Sequence, residues 1–166
     1  MLSLRTATPD DKDLVADILK DSYPAGLASH YPPEILNAVL PLMCLAHPVL
    51  LSRGTYFIAM LGGEPAGCGG WSNAAPGGVG MEPGLAHIRH FAVRTGSMHR
   101  GVGRALYDRC AFEARTLGYD RIETEAALNA EGFYAALGFR ALCQASEEVN
   151  GVAFAYIRME RDLQER

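Results

Sequence analysis

Between positions 98 and 106 the chain reads Met98-His99-Arg100-Gly101-Val102-Gly103-Arg104-Ala105-Leu106. Two glycines at the entry to an amphipathic helix let the backbone turn tightly and aim amide N–H groups at one point. The helix N-terminus adds unpaired N–H donors and partial positive charge, so the segment forms an anion site best suited to a pyrophosphate. Arg100 and Arg104, with His99 beside them, can supply charge to further phosphates. A Gly-x-Gly is also how an ordinary tight turn enters a helix, and at this point both readings stand. Two nucleotide motifs are excluded. The dinucleotide fingerprint needs a third glycine where the chain has Leu106, and no Gly-Lys-Ser/Thr is present to form a P-loop. The pattern indicates a phosphorylated ligand other than NAD or ATP.

Such a loop needs a strand to deliver the chain and a helix to carry it away. Residues 85–93 read as the strand. Residues 101–117 read as the helix, with Val102, Leu106, Cys110, Ala114 and Leu117 on one face and Gly118 closing it. Upstream, residues 2–7 suit a strand. Thr8-Pro9-Asp10-Asp11 then starts a helix whose Leu14, Val15, Ile18, Leu19 and Tyr23 share a face, with Pro24 and Gly26 expected to stop it. A second helix is expected over 33–45, followed by a hairpin of 55–61 with 66–72. Gly67, Gly69 and Gly70 in that hairpin suggest close approach by another backbone. Residues 73–84 form a Gly/Pro loop able to border a substrate site. Downstream follow a strand over 120–126, a short helix over 129–137 that Asn129 can cap, and two strands around the turn Asn150-Gly151. The order β-α-α-β-β-β-α-β-α-β-β, with no internal repeat, is a mixed α/β domain with one central sheet.

Composition agrees with a folded enzyme-sized unit. The chain has 166 residues, 49% hydrophobic and 20% charged, which fits one domain over 1–166 and excludes disorder and coiled coil. With 15 Lys and Arg against 19 Asp and Glu, the net charge of −4 argues against nucleic-acid and membrane-surface binding and weakly favours a cationic acceptor. No run of eighteen apolar residues is present to span a bilayer, and the first residues lack the pattern of a secretion signal. Cys44, Cys68, Cys110 and Cys143 form no C-x-x-C pair, so reduced thiols, a cytoplasmic location and no metal are expected.

Two segments together carry a resemblance. The run Ala86-His87-Ile88-Arg89-His90-Phe91-Ala92-Val93, then Arg100-Gly101-Val102-Gly103-Arg104-Ala105-Leu106, resembles the acyl-CoA-binding motif of the GCN5-related N-acetyltransferases (GNAT). Further on, Leu128-Asn129-Ala130-Glu131-Gly132-Phe133-Tyr134-Ala135-Ala136-Leu137-Gly138-Phe139 is similar to that family's second signature. Both motifs occur in the family's order and separation, and the element order agrees along nearly the whole chain. One position departs: three residues before the first glycine the family commonly carries Gln or Arg, and here stands Met98.

The resemblance implies a mostly antiparallel sheet of about seven strands splayed into a V, with about four helices. It implies acetyl-CoA as co-substrate, its pyrophosphate on Met98, His99, Arg100, Gly101, Val102, Gly103, Arg104 and Ala105. The pantetheine arm would pair with backbone groups of Phe91, Ala92 and Val93, with Asn129 helping to fix it or capping its helix. A primary amine, of a small molecule first and of a peptide second, would attack the thioester directly. Tyr134 matches the family's general acid, since a phenol stays protonated at neutral pH and can protonate a departing thiolate. His87 stands where the histone-acetylating branch carries a glutamate base, and a histidine can relay a proton there. His90 lies on the other face of an ideal strand unless a bulge intervenes, and a water chain without a dedicated base is a further option. Glu123 and Glu125 are candidates for binding an ammonium. A homodimer is a family-level expectation. A non-catalytic acyl-CoA sensor is the competing class.

Overall fold

The structure, a computed structural model, describes residues 1–77 and 80–164. Gly78 and Val79, in the loop expected to border the substrate, lie outside the described residues. The chain forms β1 (Leu2–Thr6), α1 (Lys12–Leu27), α2 (Pro33–Met43), α3 (Pro48–Ser52), β2 (Tyr56–Leu61), β3 (Glu64–Ser72), β4 (Leu85–Val93), α4 (Val102–Thr116), β5 (Arg121–Ala127), α5 (Glu131–Ala136), β6 (Arg140–Val149) and β7 (Val152–Asp162). The strands make one seven-stranded sheet in the order β1-β2-β3-β4-β5-β7-β6. Every neighbouring pair is antiparallel except β4 and β5.

The sheet carries a core on each face. On one side α4 lays Val102, Leu106, Cys110 and Ala114 against Phe57, Ala86, Ile88 and Ile122. On the other, Val15, Ile18 and Leu19 of α1 meet Tyr56, Ile58, Cys68 and Ala92. The apolar spacing read from the sequence supplies both helix faces. Three thiols are buried and Cys143 is exposed, and all four are free.

Three local expectations are corrected. α1 runs through Pro24 to Leu27 rather than stopping at Pro24. A proline near a helix end forfeits one backbone bond, and here Tyr23 and Leu27 on either side of it pack into the core. The second helix also contains its proline, Pro41, and ends at Met43, after which a separate α3 forms. Residues 33–52 have the length and apolar composition of a membrane span. The turn between α2 and α3 divides them into helices of 11 and 5 residues, each shorter than the ~20 needed to cross a bilayer. Finally, Asn129 is not the cap of α5. Ala130 holds that position, without a side-chain hydrogen bond.

The β3 glycines are where neighbours crowd in. A Cβ on Gly70 would stand 2.3 Å from the Thr55 carbonyl oxygen, and one on Gly69 would stand 2.4 Å from the Phe91 ring. Gly70→Val is therefore expected to destabilise the fold by about 3 kcal/mol, since the obstructing atoms are backbone. Gly132→Ala, where nothing lies within 4 Å, is expected to be neutral or stabilising by about 0.5–1 kcal/mol. Urea denaturation of both variants checks the pair.

Candidate functional site

The loop leaving β4 ends in a left-handed Gly101, φ 82°, which is the N-cap of α4. His99 is also left-handed, φ 62°. Only a residue without a Cβ takes the Gly101 geometry at no steric cost. The first i→i−4 bond of α4 runs from Ala105 N–H to the Gly101 carbonyl at 3.0 Å. The N–H groups of Val102, Gly103 and Arg104 precede it and have no intrahelical partner. Their side chains divide by face: Val102 and Gly103 are buried, Ala105 is half-buried, and Met98, His99, Arg100 and Arg104 are exposed. Neither Arg100 nor Arg104 forms an ion pair among the described residues. Val102 is an anchor against Gly67 rather than a side-chain ligand. The ring of Phe133, from α5, covers the spot a Gly103 Cβ would take, at 2.8 Å.

β4 and β5 pair only at Leu85↔Arg121, Ala86↔Ile122 and His87↔Glu123, then part. The rest of β4 therefore has β3 on one side and an open gap on the other. Within it the β3 register slips between Cys68↔Ala92 and Gly70↔Arg89, so His90 and Phe91 together oppose Gly69. His90 carries the bulge at φ 56°. Beyond it, Arg94 N–H donates to Ala66 of β3 at 2.8 Å. Strand alternation then turns the backbone groups of Phe91 and Val93 toward the gap. Of these, the Phe91 carbonyl already accepts from Tyr23 Oη of α1 at 3.0 Å. Tyr56 Oη donates to the His90 carbonyl at 2.7 Å. Both tyrosines act through the backbone; the sequence spacing places Tyr23 on the buried face of the first helix and does not single out Tyr56.

Tyr134 is 5% exposed, edge-on to Phe133 and Phe139. Burial raises its pKa well above the ordinary phenol value, partly opposed by the neighbouring Thr124 hydroxyl. It sits close enough to Tyr23 that its charge would also disfavour ionisation there. Both phenols are thus neutral at ordinary pH, Tyr23 on the Phe91 carbonyl of β4 and Tyr134 beside Thr124 of β5.

The bulge turns His90 to the α1–α2 side, the same side as His87. It does not free the ring. His90 Nε2 donates to the Met43 carbonyl at 3.0 Å, and the ring tilts against Tyr23. Burial pushes its pKa down to about 4, against the opposing effect of the Met43 bond. His87 lies at the closed end of the gap, 7% exposed. Burial lowers its pKa, Glu123 partly restores it, and Arg89 lowers it further. Glu123 is held by Arg158, Nε to Oε1 at 2.8 Å and Nη2 to Oε2 at 3.3 Å. Glu125, where the strands have parted, has its pKa raised by burial and by the nearby Glu147 and Glu123.

Asn129 is exposed just before α5, its amide nitrogen 3.0 Å from where a Gly26 Cβ would stand, so the α1 end and the β5–α5 loop meet at the mouth of the gap. Arg109 is drawn away from any phosphate by Glu113 at 2.9 Å and by the Phe57 ring. Trp71 is core, its Nε1 donating to Glu113 at 3.1 Å. Among the described residues no cluster of three or more His, Cys, Asp or Glu is arranged to hold a metal.

Residues 13–139 match the acetyltransferase (GNAT) family, and the chain belongs to that family of N-acetyltransferases. A GCN5-related N-acetyltransferase from Rhodopseudomonas palustris superposes with a TM-score of 0.79 at 24% identity, covering 96% of this chain and 94% of that one. The PaiA N-acetyltransferase of Thermoplasma acidophilum, solved in complex with coenzyme A, gives 0.72 at 14% identity over 98% and 99%. The ribosomal-protein-S18-alanine N-acetyltransferase of Escherichia coli gives 0.65 at 16% identity over 100% and 96%. No curated protein matches the sequence.

The two histidines are expected to separate in an NMR titration. His90 should stay neutral, with its proton on Nε2, down to a pKa of about 4. His87 should titrate above His90 but below the usual histidine value of 6.5. A His90 resonance titrating at the usual value would contradict the Met43 bond.

Proposed function

We propose that the protein moves the acetyl group of acetyl-CoA to a primary amine of a small molecule by direct attack inside the gap between β4 and β5. The observation that carries this reading is the parting of β4 from β5 after three residue pairs, with the open strand leading into the left-handed turn at Gly101. The free N–H groups of Val102, Gly103 and Arg104 fit a pyrophosphate, and Arg100 and Arg104 beside them form no ion pair among the described residues. Exposed Met98 and His99 shape the rim of that turn, and Asn129 lies where the pantetheine would pass.

The thioester would lie along Phe91, Ala92 and Val93. Strand alternation favours the Val93 N–H as the donor that polarises the thioester carbonyl, since Arg94 N–H donates to Ala66 of β3 and thereby turns the Ala92 backbone to β3 and that of Val93 away from it. Tyr134 then protonates the leaving thiolate, and burial keeps its resting phenol protonated at neutral pH. His87, neutral at pH 7, accepts the amine's proton through water. Half-buried positions of Arg89 and Glu125 on the acceptor side suit a small acceptor better than an extended peptide.

Thiol release from acetyl-CoA, followed across amines, amino acids and short peptides, tests the reading. Tyr134→Phe should lower kcat by about 10²-fold while leaving acetyl-CoA binding nearly unchanged. In the wild type kcat/KM should rise with pH through a midpoint below 6.5, because only the neutral imidazole accepts a proton. His87→Gln should remove that limb. Arg100→Ala with Arg104→Ala should raise the acetyl-CoA KM by about tenfold and weaken its salt dependence. Acetyl-CoA binding with no turnover on any acceptor would favour the sensor, and acetylation confined to peptides would favour the peptide class.

A further inference from the structure

The acceptor side of the gap holds charges of both signs, and they are not paired with each other. Arg89, half-buried on β4 two residues beyond His87, donates from Nη1 to Ser72 Oγ at 3.0 Å. Ser72 Oγ in turn donates to the Ala74 carbonyl at 2.7 Å, so it brings no negative charge. Arg53, just after α3, reaches only the Asn73 side-chain oxygen, at 3.5 Å. Neither guanidinium has a carboxylate partner among the described residues. The two lie near enough to repel, and burial with this repulsion lowers the Arg89 pKa. Burial first, and then the charges of Arg89 and Arg53, lower that of His47 as well. A guanidinium kept half-buried beside another without an anion is an unfinished site.

The opposite charge stands across the gap. β4 and β5 part after His87↔Glu123, and two residues beyond that last pair, on the same sheet face by strand alternation, stand Arg89 on one strand and Glu125 on the other. Arg89 and Glu125 feel each other's charge, yet no bond of 4 Å or less joins them. Unlike Glu123, Glu125 forms no ion pair among the described residues, although Arg158 stands opposite it on β7, close enough for its charge to be felt. This leaves a cation pair and a lone carboxylate on the same sheet face, separated by the opening into which the acceptor amine must come.

We propose that the acceptor is a zwitterion, a primary amine that also carries a carboxylate, with its carboxylate on Arg89 and Arg53 and its ammonium on Glu125. Amino acids are the simplest members of that class. The planar carboxylate matches the fork of Arg89, and Glu125 holds the nitrogen beside Phe91, where the thioester is proposed to lie. The net acidity of the chain, which by itself favours a purely cationic acceptor, gives way here to the local field of the two arginines.

This assignment rests on the acetyltransferase reading, and matched acceptors separate the two. Alanine, leucine, phenylalanine and lysine are compared with ethylamine, isoamylamine, phenethylamine and cadaverine, which lack only the carboxylate, while calorimetry measures coenzyme A binding separately. The amino acids should exceed their amines in kcat/KM by about tenfold or more. Arg89→Gln should collapse that ratio by raising the KM for the amino acid alone. Glu125→Gln should raise the KM for both members of each pair, since both carry the ammonium. Thermal melts establish that each variant folds. Equal or better use of the amines, or an Arg89→Gln effect shared by both members, overturns the assignment and leaves the acetyltransferase reading standing. Coenzyme A binding without acetylation of any amino acid also overturns it. Loss of coenzyme A binding in the wild type would sink both.

Discussion

The site depends on a strand that loses its neighbour. After three paired residues β4 has no partner on its β5 side, and a backbone left without hydrogen bonds carries a cost of desolvation wherever it is buried. The fold meets this locally. The bulge at His90 turns the chain, Tyr56 and Tyr23 hydroxyls occupy the His90 and Phe91 carbonyls, and the His90 ring ties the bulge to α2 through the Met43 carbonyl. In the proposed reading, the N–H groups of Phe91 and Val93 that face the gap are what the ligand meets. An ordered opening of this kind can align an extended arm without closing on itself.

Charge is distributed to match. Most arginines are engaged: Arg5, Arg94, Arg109, Arg121, Arg140 and Arg158 in ion pairs, Arg115 and Arg161 on backbone carbonyls. The arginines without such partners among the described residues fall into two sets, Arg100 with Arg104 at the α4 entrance and Arg53 with Arg89 at the acceptor end. Arg53, Arg100 and Arg104 are exposed to solvent, so the cost of an uncompensated guanidinium where water is excluded bears on half-buried Arg89 alone.

The core explains why the gap stays open. α4 and α1 clamp the sheet from opposite faces, and the β3 glycines let Phe91 and Tyr56 press against the strand next to the bulge. Phe133 and Tyr134 of α5 then brace the far wall, one on the first turn of α4 and the other beside Thr124 of β5. Stiff walls matter because direct attack on a thioester needs the amine and carbonyl held at close range.

Much of this was legible in the order of residues. The glycine spacing at 101 and 103, the Leu85–Val93 strand and the α4 face come from interactions within a few positions, and such short-range rules act on any chain that carries those residues. The same holds for the turn at Asn150-Gly151, whereas the motif around Tyr134 was read through the family resemblance. The end of α1 at Pro24 was misread because burial of Tyr23 and Leu27 outweighs one missing backbone bond, a balance set by contacts far away in sequence. The bulge at His90, the seizure of the Phe91 carbonyl by Tyr23, and the meeting of Arg53, Arg89 and Glu125 join residues 34 to 72 positions apart. No local periodicity records such meetings, because they arise only when the sheet has formed and the strands have taken their register.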